Sequence, residues 1–230
     1  MSTLVDKISS ARGKAFWGPP AWFILHVLAA SLHSKNSKYY ENLLKCFAIL
    51  LPCEECRKNL IFKLQSLPPT RYLSNKEDAF LYSYTIHDMA NQQISVAHPD
   101  APKKSPGYDE IRKFYFEGLK NDEYFWEDNT WFVVHMMAAT LRPETAIWYK
   151  DFLFSLAKLL PTENLRTIFG TTLVSFPPDA YLSNNNDAFF YSYAIRDIFN
   201  SKLKVPKKSQ NYDDMKSFYF TGLFQECKEC

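Results

Sequence analysis

Four of the five cysteines in this 230-residue chain fall in two C-x-x-C pairs. The first is Cys53-Glu54-Glu55-Cys56 and the second is Cys227-Lys228-Glu229-Cys230, with Cys46 standing apart. A helix is expected to start around Pro52 and Cys53, where unpaired backbone N–H groups and the helix dipole favour a thiolate. Cysteines one helical turn apart can close a small-ring disulfide, and both features suit thiol–disulfide exchange. The second pair follows the last expected helix, where a mobile dithiol could reach a buried one and carry electrons to it. Together the pairs also offer four thiolates, the ligand set of a structural zinc ion, although their separation is far from compact zinc-ribbon spacing. Cys46 falls mid-helix and reads as a small buried hydrophobe.

Composition narrows what such thiols serve. Net charge is +2, with acids and bases interspersed, which describes a solvated surface and not a clustered nucleic-acid footprint. Only 6 glycines are present, against a glycine-rich phosphate loop or a turn-rich all-β fold. Aromatics reach 17%, which suits bulky helix contacts or a planar ligand. No apolar run approaches the roughly 20 residues of a membrane helix; the best candidate, Trp22 to Leu32, contains His26. Lys7, Arg12 and Lys14 have no apolar segment behind them, so no secretory signal is expected. In that setting C-x-x-C pairs point to metal binding or redox chemistry more than to stapling.

The elements that must position the first pair are written twice. Phe16 to Gln93 aligns without a gap to Phe125 to Lys202, with about two in five positions identical. Tyr72-Leu73-Ser74-Asn75 recurs as Tyr181-Leu182-Ser183-Asn184, and Tyr82-Ser83-Tyr84 as Tyr191-Ser192-Tyr193. After a short deletion both copies end in Phe-Tyr-Phe-x-Gly-Leu. Each copy reads as helical. The first offers helices over Ala21–Ser34 and Tyr39–Leu51, a third with Pro52 in its first turn and ended by Pro68-Pro69, a fourth capped by Asn75 and running to about Ile94, and a short fifth over Tyr108–Leu119. The expected fold is all-α: tandem duplicated four-helix bundles, each with a short fifth helix, forming an intrachain pseudo-dimer. The expected domains are an N-terminal segment (1–15), a catalytic domain (16–120), a degenerate repeat (125–223) and a C-terminal tail (224–230).

Duplication makes the chain its own control. Cys53 becomes Thr162, Cys56 becomes Leu165 and His87 becomes Arg196, so none of these three is needed to fold the bundle. Trp22 and His26 persist as Trp131 and His135, and are read equally as helix packing with one satisfied hydrogen bond.

Trp22-x-x-x-His26 followed by Ala29 and Ala30, then Leu51-Pro52-Cys53-Glu54-Glu55-Cys56, then His87-Asp88-x-x-Asn91 resembles the Erv/ALR sulfhydryl oxidases. Trp17-Gly18-Pro19-Pro20-x-Trp22 is similar to the start of versions encoded by large DNA viruses. The resemblance covers residues 16–119, and the second copy keeps the frame without the cysteines or the second histidine. It implies a four-helix bundle holding FAD noncovalently beside the C-x-x-C. Cys56 would lie against the flavin and Cys53 would exchange with incoming thiols. Trp17, Trp22, His26, Tyr82, His87, Asp88, Asn91, Lys103 and Lys104 would contact the cofactor, with no metal. Cys227 and Cys230 would form the shuttle disulfide. Asp88 stands where the family carries Asn, and Gln92 and Gln93 where a basic residue is common.

The implied activity is an FAD-dependent thiol oxidase that forms disulfides in protein substrates, with electrons passing through Cys53 and Cys56 to FAD and then to O2 as H2O2. Its partners would be protein dithiols or a thioredoxin-like carrier and molecular oxygen, with no nucleic acid and no membrane span; further homodimerisation is left open. A viral protein of this kind would work in the host cytoplasm or the virion; otherwise an intracellular site is expected ahead of the mitochondrial intermembrane space. The second copy is expected to bind no FAD. Two readings from other classes stand beside this one: a zinc-stabilised structural protein using both cysteine pairs, and a helical scaffold with inert thiols. Thioredoxin-like exchange without a flavin is disfavoured, because no βαβ pattern accompanies the C-x-x-C.

Overall fold

The computed structural model describes residues 12–204 and 211–223, and among these there is no β-strand. Ten α-helices follow one another among the described residues. The first five are α1 (Lys14–Ala30), α2 (Ser37–Leu50), α3 (Glu54–Ser66), α4 (Lys76–Ala97) and α5 (Tyr108–Asn121). The second five are α6 (Glu127–Ala139), α7 (Ala146–Leu159), α8 (Glu163–Ser175), α9 (Asn185–Leu203) and α10 (Tyr212–Leu223). The two sets repeat one order, down to 3₁₀ turns at Ser34–Asn36 and Pro143–Thr145 and at Pro69–Tyr72 and Pro178–Tyr181.

Local chemistry explains the shared boundaries. Asn75 accepts from the N–H groups of Glu77 (2.9 Å) and Asp78 (3.0 Å), and Asn184 accepts from Asp187 (3.0 Å), which satisfies donors that a helix start leaves open. On α2, Tyr40, Leu43, Leu44 and Phe47 form one buried stripe at helical spacing. Tyr40 then donates to the Leu25 carbonyl of α1 (2.9 Å), as Tyr149 of α7 does to Val134 of α6 (3.2 Å).

Two expectations need correction. The first helix begins at Lys14, not Ala21, and runs through Pro19 and Pro20. Those prolines leave the Ala15 and Phe16 carbonyls without their helical donors, but the same turn buries Phe16 and Trp17 in the core. Pro52 lies outside α3, because Cys53 and not Pro52 occupies the N-cap.

The two halves share one continuous core. Helix α1 lies against α6, and α2 against α7. Their contacts are approximately reciprocal, in the manner of an isologous interface. Asn36 donates to the Lys158 carbonyl (2.8 Å), and Arg142 donates to the carbonyl of Ile49, the equivalent of Lys158 (3.4 Å). Phe16 of the first half sits on Gly222 of the second, while its equivalent Phe125 sits on Gly118 of the first. A methyl at Gly222 would lie 2.6 Å from the Phe16 ring, which is fully buried between Phe132 and Phe218 and has nowhere to go.

Gly222→Ala is therefore expected to destabilise the protein by about 1–2 kcal/mol in denaturant unfolding, overpacking outweighing the helix-propensity gain. Gly118→Ala should cost less, because Phe125 is only partly buried. Equal or raised stability in Gly222→Ala would contradict this view of the interface.

Candidate active site

The first cysteine pair opens α3. Cys53 is the N-cap residue, and its sulfur accepts from the Cys56 backbone N–H at 3.2 Å. Thr162 does the same for α8, its hydroxyl accepting from Leu165 N–H at 3.3 Å, so the second half keeps the cap while giving up the thiols. Arg57 ties the entering turn by donating to the Leu51 (2.8 Å) and Pro52 (3.3 Å) carbonyls. Arg166 repeats both bonds in the second half, which makes this clasp architectural. Cys53 is 4% exposed, whereas Cys56 is only partly buried. Cys46 is fully buried on the face of α2 that meets α7. Burial first, and Asp151 second, push its thiol up to about 12, so it stays protonated and inert.

A buried row of polar rings joins α1 to α4. His26 Nδ1 lies 2.8 Å from Ser83 Oγ, and His26 Nε2 lies 2.9 Å from His87 Nδ1. Burial and then the neighbouring His87 hold His26 down to about 3; burial and then the Lys103 ammonium hold His87 down to about 4. Both imidazoles are thus neutral at physiological pH, and a single N–H lies between them. His87 stacks flat on Trp22, with centroids 4.2 Å apart and planes 6° from parallel.

The connection between α4 and α5 walls this row. Asn91, 3% exposed, donates to Ser105 Oγ (2.9 Å). Ser95 accepts from the Lys103 N–H (2.8 Å) and donates to its carbonyl, and Tyr84 donates to the Pro106 carbonyl (2.8 Å). Behind the wall is a cavity of about 110 Å³ lined by both histidines, Tyr84, Ser105 and Tyr115. It is room for a few waters, so a larger planar ligand requires the wall to move.

The second half is built differently beside its buried histidine. Ser192 donates to the Phe189 carbonyl (2.7 Å), so the 2.9 Å contact with His135 comes from the His135 Nδ1–H. Its Nε2 is then an acceptor with no partner among the described residues. Arg196, in the place of His87, sets its guanidinium over Trp131 (5.9 Å). Phe199 replaces Ala90 and packs edge-on with Trp131 (5.6 Å), Phe169 (5.5 Å) and Trp126 (6.2 Å).

The residues expected at the site are only partly brought together. Trp22, His26 and His87 form one cluster, with Asn91 in the adjoining wall. Trp17 is buried on α1 with no partner for its indole N–H. Tyr82 donates to the Leu67 carbonyl (2.9 Å), as Tyr191 does to Phe176 (2.7 Å), which makes it a clasp common to both halves. Asp88 accepts from Gln92 (2.7 Å), Lys103 sends its charge toward His87, and Lys104 is exposed. Cys227 and Cys230 lie outside the described residues. Ser83 and Lys63 were missed by sequence reasoning. Lys63 is 5% exposed on α3, donates to Gln93 of α4 (2.6 Å), and is raised by the Cys56 charge against a larger lowering from burial. Its signal was an exchange between the copies: Lys63 and Gln93 in one, Thr172 and Lys202 in the other.

Aromatic faces, two neutral imidazoles, an unpartnered indole N–H, a buried amide and nearby ammonium groups fit a planar, hydrogen-bonding, anionic cofactor. Among the described residues no group of three or more His, Cys, Asp or Glu is placed to hold a metal, and no helix is long and apolar enough to cross a membrane.

The depressed imidazoles set a pH dependence. Their folded-state values lie below the ordinary 6.5, so between about pH 4 and 6.5 the unfolded chain binds protons that the folded chain does not. Stability is full above that window and falls with pH through it, approaching about 1.4 kcal/mol per pH unit for each imidazole. Urea unfolding at pH near 7, 6 and 5 should show this decline, and constant stability would refute the buried neutral pair.

Comparison with curated proteins and with solved structures returned no match. Residues 19–106, which span the thiol pair, the imidazole row and the wall, match the model of the Erv1 / Alr family. The first bundle of the chain is thus similar to the Erv1 / Alr family over these residues.

Proposed function

We propose that the chain is an FAD-dependent sulfhydryl oxidase whose first bundle carries the chemistry and whose second stands in place of a subunit. The family is one of FAD-binding sulfhydryl oxidases, which supports an oxidoreductase acting on thiols with oxygen as oxidant. The observation that carries the reading is the coincidence of losses: the half without the thiol pair is also the half whose buried histidine Nε2 has no partner among the described residues and whose Trp131, the equivalent of Trp22, is packed by Phe199.

The roles of the two sulfurs in the thiol step are those the resemblance implies. An incoming substrate thiolate attacks Cys53 of the Cys53–Cys56 disulfide, forming a mixed disulfide and expelling Cys56 as thiolate. A second substrate thiolate attacks the substrate sulfur, closes the substrate disulfide and releases Cys53, leaving two electrons on the dithiol. The open N–H groups and dipole of α3 stabilise the sulfur that carries negative charge. Cys53 is the more buried sulfur, so attack on it requires the Leu51–Cys53 turn to open. FAD, when bound, supplies the acceptor for this electron pair and delivers it to O2 as H2O2. Trp22, His26, His87 and Asn91 would hold it, with Lys63 and Lys103 as nearby cations. His26 and His87, locked to each other, fix the positions of α1 and α4 around it. The Cys227–Cys230 pair would relay electrons from protein substrates to Cys53. In the second bundle Phe199 packs against Trp131 and Phe169, and with the thiols also missing one FAD per chain is expected.

Oxygen uptake driven by dithiothreitol tests the proposal. Cys56→Ser and Cys53→Ser should each lower it by a hundredfold or more, on the order expected for loss of a covalent participant. Cys46→Ser, which copies Ser155 of the other half, should leave it within about twofold, because Cys46 takes no part in the thiol step. Uptake that persists in both active-pair variants would overturn the assignment.

A further inference from the structure

A buried lysine needs a reason. Removing an ammonium from water costs several kcal/mol unless charge or hydrogen bonds offset it. Lys63 has Gln93, a neutral amide, as its hydrogen-bond partner, and among the described residues no carboxylate forms an ion pair with it. It stands seven residues after Cys56, two turns along the same face of α3. Helical side chains lean toward the N-terminus, so a long lysine at that position reaches back toward Cys56.

The second bundle is the comparison. Its ammonium comes from the exposed Lys202, which donates to the buried Thr172 (3.1 Å), the equivalent of Lys63. There the lysine stem stays in solvent; in the first bundle it is buried on the thiol-bearing helix. Arg57 also senses both cysteine charges, but its bonds recur in Arg166 where no thiol exists. Among the cations near the pair in the described residues, Lys63 is the one whose burial accompanies the thiols.

We propose that Lys63 is a positioning residue that holds the electron-donating sulfur, Cys56, as a thiolate. This deepens the oxidase reading and rests on it for the role of the thiolate. Burial acts to deprotonate Lys63 and the Cys56 charge acts to keep it protonated, so each charged form supports the other. Among the described residues the charges around the pair include Glu54, Glu55, Arg57 and Lys58 on α3, Lys58 being paired with Glu54 (2.9 Å), and Arg142 from the second bundle, which acts on Glu54 and Arg57. Helix α4 brings His87 and Asp88 before Gln93, and α2 pairs its Glu41 and Lys45 with each other (2.7 Å).

The test is site-resolved alkylation of Cys56 by iodoacetamide across pH, read by peptide mass spectrometry in the full chain with Cys53→Ser. Lys63→Met should move the alkylation midpoint up by about one pH unit. Lys63→Arg should restore it at least halfway, which a purely structural role would not do. Lys63→Thr, the residue the second bundle uses, should match Lys63→Met and serves if the Met variant does not fold. An unchanged midpoint in a folded Met or Thr variant overturns the proposal. Because alkylation needs no turnover, its outcome is independent of the oxygen-uptake result that tests the oxidase itself.

Discussion

A buried imidazole has two nitrogens to satisfy, and the first bundle is arranged around how His26 does it. One nitrogen meets Ser83 and the other meets His87, so a single side chain of α1 is fastened to α4 one turn apart. An unsatisfied buried nitrogen costs roughly 1–3 kcal/mol, so this row fixes where the two helices lie. His87, held from below, presents a ring that Trp22 covers. Where Arg196 replaces His87 the row is broken, and the second half carries an orphaned His135 nitrogen beside a plug of rings. The contrast separates what the fold needs, the His–Ser pair seen in both halves, from what the first site adds.

The second constraint is the near-symmetry of the two halves. Each places a phenylalanine on the other's glycine, and each helix end is capped by a donor from the other. The symmetry fails at one pair that shows why it is only approximate. Asn42 donates to Ser155 (2.9 Å), whereas the equivalent pair is Asp151 and Cys46, whose thiol is kept protonated partly by that carboxylate. The second bundle, with Thr162 and Leu165 in place of the thiols, still supplies the surface against which α1 and α2 pack.

Much of this was legible in the sequence, because patterns that act locally are written locally. Helical spacing, the Asn75 cap and the repeat located most elements. The start of α1 was not legible, since prolines that normally end a helix are tolerated only because Phe16 finds a pocket in the other half. Nor was the cap role of Cys53, where sulfur accepts the bond that Thr162 accepts in the repeat. Ser83 was visible as a repeated residue but not as the partner of His26, because that pairing spans α1 and α4. The cysteines stood out by spacing. Lys63 did not, since its meaning depends on burial and on Gln93 across the bundle.

The central claim is that one bundle is a flavin site and the other is its filled counterpart. The most direct measurement is bound FAD per chain, from the absorbance of the purified, FAD-reconstituted protein near 450 nm set against protein concentration. The account predicts one equivalent in the native chain, and still one in a chain carrying Arg196→His, because Phe199 still packs against Trp131 and the thiols are still missing. Two equivalents in the native chain, or none after reconstitution, would contradict it.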